Sequence, residues 1–257
     1  MRVERVNNIR YEYCSKKMFQ LLRQHPSWSI FIIATGTIAA SEVIWLAYKS
    51  ICKWIRWRKA QVHEVLMFNE LGFECMQEHR KSSENGRLYY CQNKHCAQAN
   101  IDRIIEQLNK AKYSIDLAMY SVYSVEMTRA LKNALLRKVV VRIIVTLQRG
   151  DKTNYLLVDL IHHGAHLRNQ NSNYFMHHKF CVIDGQERVN YLWSLKKRNY
   201  GPETTYSVLI NGSLNWTDTG IGVNWENVVI TSHPKMTNVF QSEFDRMWKV
   251  FSTNTRK

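Results

Sequence analysis

Residues 174–184 read YFMHHKFCVID, two histidines and a lysine in front of an apolar run that closes on an aspartate. By spacing this is His177-x-Lys179-x4-Asp184. Side chains alternate along an extended strand, so His177 and Lys179 share one face and His178 turns to the other. An imidazole is nucleophilic near neutral pH, and an ammonium beside it neutralises an anion. Together they suit attack on the phosphorus of a phosphate ester. Two later stretches supply what such a site still needs. GSLNWT, at 212–217, offers Ser213 and Asn215 as uncharged partners for phosphoryl oxygens. NWENVVI puts Glu226 at the start of a strand, where a carboxylate can hold the second nitrogen of an imidazole and favour its charged form.

The elements that must position these groups follow from periodicity. EVLMF (64–68) predicts a short strand, followed by a polar, cysteine-bearing stretch. Ile101, Ile104, Ile105 and Leu108 recur at helical spacing and predict a helix over 97–111. SIDLAMYSV (114–122) predicts a strand, and Met127, Ala130, Leu131, Ala134 and Leu135 line one face of the next helix. VVVRIIVT (139–146) is a β-branched run fit for a strand buried on both faces. A third helix covers 153–163 and stops at Gly164. AHLRNQ, KFCVID, SVLIN and ENVVITS predict four more strands, and 234–250 an amphipathic helix with Phe240, Phe244 and Trp248 on its face. Strands alternating with helices, then clustered strands, predict an α/β sheet covered by helices. No internal repeat is present, so the histidine motif occurs once.

Length and charge bound the class. A chain of 257 residues with 45% hydrophobic residues builds one core, and a formal charge of +15 points to a polyanionic partner. Residues 1–60 carry 11 Lys/Arg against 3 acids, so +8 sits there and +7 remains for the rest. Within that segment, SWSIFIIATGTIAASEVIWLAY (27–48) is apolar over a bilayer-spanning length. Basic residues flank it on both sides, and Trp28, Trp45, Tyr48, Trp54 and Trp57 fit an interfacial belt. Glu42 is its one charged interruption. The expectation is an uncleaved anchor, with the basic cluster after the span holding the following domain in the cytosol. The cysteines at 14, 52, 75, 91, 96 and 181 form no regular framework, so a secreted disulfide scaffold is not indicated.

Cys75-x3-His79 and Cys91-x3-His95 each let one turn supply two ligands to a tetrahedral zinc. Cys75, His79, Cys91 and His95 are the expected set, with Cys96 competing with His79 or His95 for the fourth place.

The joint pattern of HHKFCVID and GSLNWT resembles the phospholipase D superfamily, whose signature is His-x-Lys-x4-Asp followed by Gly-Ser-x-x-Asn. With WENVVIT and a single N-terminal anchor, it is similar to the Zucchini-type, mitochondrial branch of that superfamily in the piRNA pathway. The resemblance covers most of 62–250. It implies a phospholipase D-type mixed sheet and a catalytic set of His177, Lys179, Asp184, Ser213, Asn215 and Glu226. His177 would form a phosphohistidine, and Lys179, Ser213 and Asn215 would bind the phosphate. Glu226 would orient His177, and Asp184 would be mainly architectural. It also implies a small structural zinc module, no catalytic metal, and the mitochondrial outer membrane.

One motif leaves the second proton-handling group unsupplied. A homodimer in which two copies of His177 face one groove would provide it. The expected organisation is a basic segment (1–26), a transmembrane anchor (27–48), a basic linker (49–61), a phospholipase D-like catalytic domain (62–251) and a tail (252–257), with the zinc module at 75–96. The family's compact motif has six residues between Asp and Gly-Ser, whereas 27 residues (185–211) intervene here. Residues 186–206 read either as an inserted basic hairpin bringing Lys196, Lys197 and Arg198 to the groove, or as a translated intron whose removal restores HHKFCVIDGSVLINGSLNWT. The leading function is a single-strand endoribonuclease leaving 5′-phosphates, with Tyr89, Tyr90, Tyr174, Phe175 and Trp216 as candidate base-stacking residues. The alternative is a phospholipase D-type hydrolase releasing phosphatidic acid from cardiolipin.

Overall fold

The computed structural model describes residues 20, 23, 26–86, 90–146, 154–169, 175–195 and 206–251. The chain divides into two compact units, Met1–Lys59 and Ala60–Lys257. The first contains helix α1, Pro26–Lys59, of 34 residues. At 1.5 Å per residue that is about 50 Å, well beyond the ~30 Å of a bilayer core. It is long and apolar enough to cross a membrane by length and composition. The helix does not stop at 48; it runs through the stretch expected as a linker. No Gly or Pro interrupts 49–59, and Arg56, Arg58 and Lys59 complement the negative end of the helix dipole.

The second unit is built on one seven-stranded mixed sheet in the order β1-β7-β6-β5-β2-β3-β4. The strands are β1 His63–Phe68, β2 Ser114–Met119, β3 Val140–Val145, β4 His166–Asn169, β5 Lys179–Ile183, β6 Val208–Gly212 and β7 Glu226–Thr231. The helices are α2 Glu70–Phe73, α3 Met76–Glu84, α4 Ala97–Lys110, α5 Val125–Leu136, α6 Tyr155–His162, α7 Gln186–Leu195, α8 Asp218–Gly222 and α9 Pro234–Val250. β2, β3 and β4 pair in parallel, as their helical crossovers require, and the remaining pairings are antiparallel. Apolar residues fill both faces of the sheet. One side packs Ile101, Ile104, Leu108, Met127 and Leu131 against Ile115, Leu117, Val141 and Ile143. The other packs Phe180, Val182, Ala118 and Ile144 under Phe244 and Met247 of α9.

Under α9 lies a charged cluster that the apolar reading of VVVRIIVT does not reveal. The Arg142 guanidinium donates to both carboxylate oxygens of the fully buried Asp116 at 2.7 Å, and to Asp245 at 2.7 Å. Such a pair tolerates burial because both partners are satisfied.

The 186–206 segment is not a hairpin where it is described. Gln186–Leu195 is helical, with Val189 fully buried and Trp193 edge-on to Tyr113. Val189 and Trp193 are four apart, a helical spacing that two-residue alternation mimics over so short a run. Lys196, Lys197 and Arg198 lie outside the described residues.

Candidate active site

The antiparallel order of β5, β6 and β7 brings the sequence motifs to one edge. Phe180 pairs with Asn211, and Gly212 with Val228. The entry to β5, the exit of β6 and the start of β7 therefore lie side by side. His177 and Lys179 stand at the first, Ser213 and Asn215 follow the second, and Glu226 opens the third. Gly212 is required at the β6–β7 crossing, since a Cβ there would sit 1.9 Å from the Asn227 carbonyl oxygen.

The backbone around His177 is pinned on both sides. Thr146 Oγ1 donates to the Met176 carbonyl at 2.8 Å, and the Tyr120 amide donates to the His178 carbonyl at 2.9 Å. The Lys179 ammonium lies 3.3 Å from His177 Nδ1 and donates to the His177 carbonyl at 3.0 Å. The Tyr120 ring packs on the His177 imidazole with centroids 4.7 Å apart, and Lys179 Nζ lies 5.4 Å over the same tyrosine. Burial pulls the Lys179 ammonium below the usual lysine range, and the Glu226 charge opposes that shift. The Glu226 carboxylate accepts from Asn224 Nδ2 at 3.1 Å. Among the described residues its hydrogen bond comes from Asn224 and not from His177. Ser213 Oγ accepts the Asn227 amide at 3.0 Å, locking β6 to β7. Among the described residues Asn215 Oδ1 is buried with no hydrogen-bond partner. An unpaired buried acceptor just past the exit of β6 is a cost that an incoming hydrogen-bond donor would relieve.

Asp184 belongs elsewhere. Its carboxylate accepts the backbone amides of Lys112, Tyr113 and Ser114 at 2.7–2.8 Å. It follows Ile183 at the far end of β5, about 16 Å from Lys179 by strand rise. Its contacts tie β5 to the turn before β2. Burial raises the carboxyl while the three amides pull it down. Asp184 also holds a positive φ of 49°, the bend that redirects the chain into α7.

His178 turns away from His177, as alternation predicts. Its ring meets Phe180 edge-on, and Nε2 lies 4.0 Å from Glu243 Oε1 on α9. Of the stacking candidates, Trp216 is only 2% exposed and belongs to the core, its carbonyl accepting the Tyr123 and Ser124 amides. Tyr90 and Phe175 are exposed, and Tyr89 and Tyr174 lie outside the described residues. Sequence reasoning missed Tyr120, Asn224 and the exposed Trp225. Tyr120 was accessible in principle, because the last residue of a strand beside KFCVID must end at the same sheet edge.

The cysteine-bearing stretch folds into α2, α3 and the start of α4, and gathers Cys75, His79, Cys91 and Cys96. Their ligand atoms all lie within 4.8 Å of one another. Tetrahedral zinc with thiolate ligands needs edges of about 3.8 Å, so the set fits a metal ion with little movement. Cys96, the competitor for the fourth place, lies in this cluster, and His95 does not. His95 is exposed, while Cys96 caps α4, its Sγ accepting the Ala99 amide at 3.4 Å and lying 3.2 Å from His79 Nε2. Burial and the neighbouring thiols push the Cys96 thiol up to about 12, a cluster whose protons a cation would displace.

A histidine and a lysine set against amide, hydroxyl and carboxylate groups on a mixed sheet define the class: a phosphodiester-cleaving hydrolase of the phospholipase D type. Residues 104–248 match the family described as cardiolipin synthase, PLD-like domain. The chain is 41% identical over 240 residues to the mitochondrial cardiolipin hydrolase of Drosophila melanogaster, covering 90% of this chain and 92% of that protein. It is 30% identical over 220 residues to the protein of the same name from Danio rerio, covering 85% and 86%. The solved phospholipase D family member Nuc from Salmonella typhimurium aligns with TM-score 0.46 and 24% identity, over 59% of this chain and 88% of that one. The chain belongs to the mitochondrial cardiolipin hydrolase family of the phospholipase D superfamily.

Proposed function

We propose that this protein hydrolyses phosphodiesters through a phosphohistidine on His177, and that its substrate is single-stranded RNA. The observation that carries the chemistry is the meeting of His177, Lys179, Ser213, Asn215 and Glu226 at the ends of three adjacent strands. A ring nitrogen of His177 attacks phosphorus, and the bond from phosphorus to the 3′-oxygen breaks. That oxygen takes a proton. Water then adds its hydroxyl to the phosphorus, releasing His177 and leaving a 5′-phosphate. Lys179 carries the positive charge the phosphoryl oxygens need, and Asn215 adds a directional partner. Glu226 acts on Lys179 through its field, a role that joins the orientation of His177 expected from the family.

Proton transfer needs a second group, and a homodimer would supply it as the partner subunit's His177 across a shared groove. α1 serves as the membrane anchor, consistent with the mitochondrial names of the relatives, and the outer membrane with a cytosolic catalytic unit follows from the family resemblance. Zinc on Cys75, His79, Cys91 and Cys96 would fix the segment ahead of α4 and take no part in the reaction. RNA as substrate is supported by the exposed setting of His177, the exposed aromatic side chains Phe175 and Trp225, and the excess of positive charge. A place in piRNA biogenesis follows from the same resemblance.

A second reading rests on the names of the relatives: hydrolysis of cardiolipin to phosphatidic acid by the same histidine. One assay separates the two. Purified full-length protein is given labelled single-stranded RNA and cardiolipin vesicles, with His177→Asn as control. RNA fragments with 5′-phosphates, lost in the variant, support the first reading. Phosphatidic acid release with intact RNA replaces it by the second.

A further inference from the structure

A cavity of about 740 Å³ lies between α7 and α9. α7 leaves β5 directly after Asp184 and Gly185, at the strand end opposite His177, so this cavity is separate from the site described above. Arg142, Arg188, Arg246 and Lys249 line it, with Tyr191 and Trp248 among its walls. Glu187 and Asp245 are its acids. Two of the four cations are already matched. Arg142 is held by Asp116 and Asp245, and Arg246 by both carboxylate oxygens of Glu243 at 2.6 and 2.7 Å.

Arg188 and Lys249 are not so matched among the described residues, and Arg188 is the more buried of the two. Its Nε is buried with no hydrogen-bond partner, and among the described residues its guanidinium makes no ion pair. Its one specific contact is the Tyr191 ring, 5.3 Å below the guanidinium carbon. Glu187 is exposed and adjacent in sequence, and neighbours on a helix do not face each other. Burial, then the charge of Arg142, hold the Arg188 guanidinium below its ordinary range, against the opposing fields of Asp116, Asp245 and Tyr191. Buried charges in folded proteins are paired, so a half-buried arginine facing a cavity with no carboxylate in direct contact marks where an anion belongs. The planar fork of a guanidinium matches two oxygens of a phosphate group, and Lys249 adds a second cation on the opposite wall.

We propose that the cavity between α7 and α9 is a second anion site, which binds the phosphate group of a small phosphorylated ligand through Arg188 and Lys249. The site depends on the inserted segment, because α7 contributes Arg188 and Tyr191. Its ligand is either a soluble phosphate ester or the headgroup of a phospholipid, since both present the same group.

The test uses full-length protein in detergent, with Lys179→Gln removing the background of phosphate bound at the strand ends. Inorganic phosphate is titrated calorimetrically into Lys179→Gln and into Lys179→Gln/Arg188→Gln. The single variant should bind one phosphate per chain, and the double variant should bind at least about tenfold more weakly. Phosphate should raise the Tm of the single variant and leave that of the double variant unchanged. Arg188→Lys keeps the charge without the fork, should fall between the two, and gives the same comparison where Arg188→Gln does not fold. Competition by glycerol 3-phosphate assigns the site to soluble esters, and competition only by vesicles containing phosphatidic acid assigns it to a headgroup. Phosphate binding that is equal with and without Arg188 overturns the proposal. So does an effect of Arg188 confined to single-stranded RNA.

Discussion

The two ends of β5 carry opposite kinds of polar chemistry. At the Asp184 end, one carboxylate is matched by three backbone amides. At the His177 end, among the described residues, Asn215 Oδ1 has no hydrogen-bond partner, burial lowers the proton affinity of Lys179, and the Glu226 carboxylate accepts its hydrogen bond from Asn224. A strand of five residues separates the two. Polar groups that stabilise a fold satisfy one another, whereas groups that await a ligand remain partly unsatisfied. The motif His-x-Lys-x4-Asp thus joins the proposed reacting end to a structural end, and its spacing is the length of the strand between them.

The strongest way to break this comparison is to exchange the phenotypes of the two ends. His177→Asn should lower the cleavage rate roughly 10⁴-fold, with Tm essentially unchanged, because the proposed nucleophile is exposed and supports no core. Asp184→Ala should do the reverse. Leaving three backbone amides without an acceptor should cost roughly 3 kcal/mol or more in denaturant unfolding, with near-normal turnover per folded molecule. Full stability in Asp184→Ala would refute the assignment of that end to structure.

A sharper version concerns Lys179. Lys179→Gln should slow cleavage about 100-fold. Because burial lowers its pKa, the activity that needs its positive charge is present at low pH and lost as pH rises through that lowered value. The alkaline limb of the rate profile should therefore fall below the usual lysine range. Lys179→Arg should move the limb upward, since arginine keeps its proton, and a limb that stays in place would detach the profile from this residue.

The smallest effect separates two neighbours in the cysteine-bearing segment. Cys96→Ala should lower Tm by roughly 5 °C, and chelation should lower it equally, while His95→Ala leaves it unchanged. Equal sensitivity of both positions would return His95 to the ligand set.

These outcomes rest on features that the sequence discloses unevenly. All seven strands are legible, because β-branched and alternating runs such as VVVRIIVT and ENVVITS fit only extended, buried backbone. The motif residues are legible as types, and the antiparallel order of β5, β6 and β7 then brings them together without further information. What is illegible is whatever depends on short polar segments. α3 has no apolar stripe to announce it, and the presence of Cys96 rather than His95 in the thiol cluster goes with its place as a helix cap. Residues 186–195 satisfy two periods at once, and only the burial of Val189 and the contact of Trp193 with Tyr113 select the helix. Tyr120 carries no motif and enters the site solely because its strand ends there. Trp216 illustrates the converse, an aromatic residue inside a functional motif whose ring belongs to the core.

The direct test of the account is chemical trapping. Enzyme turning over phosphorus-labelled substrate is quenched under alkaline denaturing conditions, which preserve phosphoramidates, and its peptides are sequenced by mass spectrometry. The account predicts label on the ring of His177, absent from His178 and absent in His177→Asn. Label on another residue, or rapid turnover with His177 never modified, would contradict it.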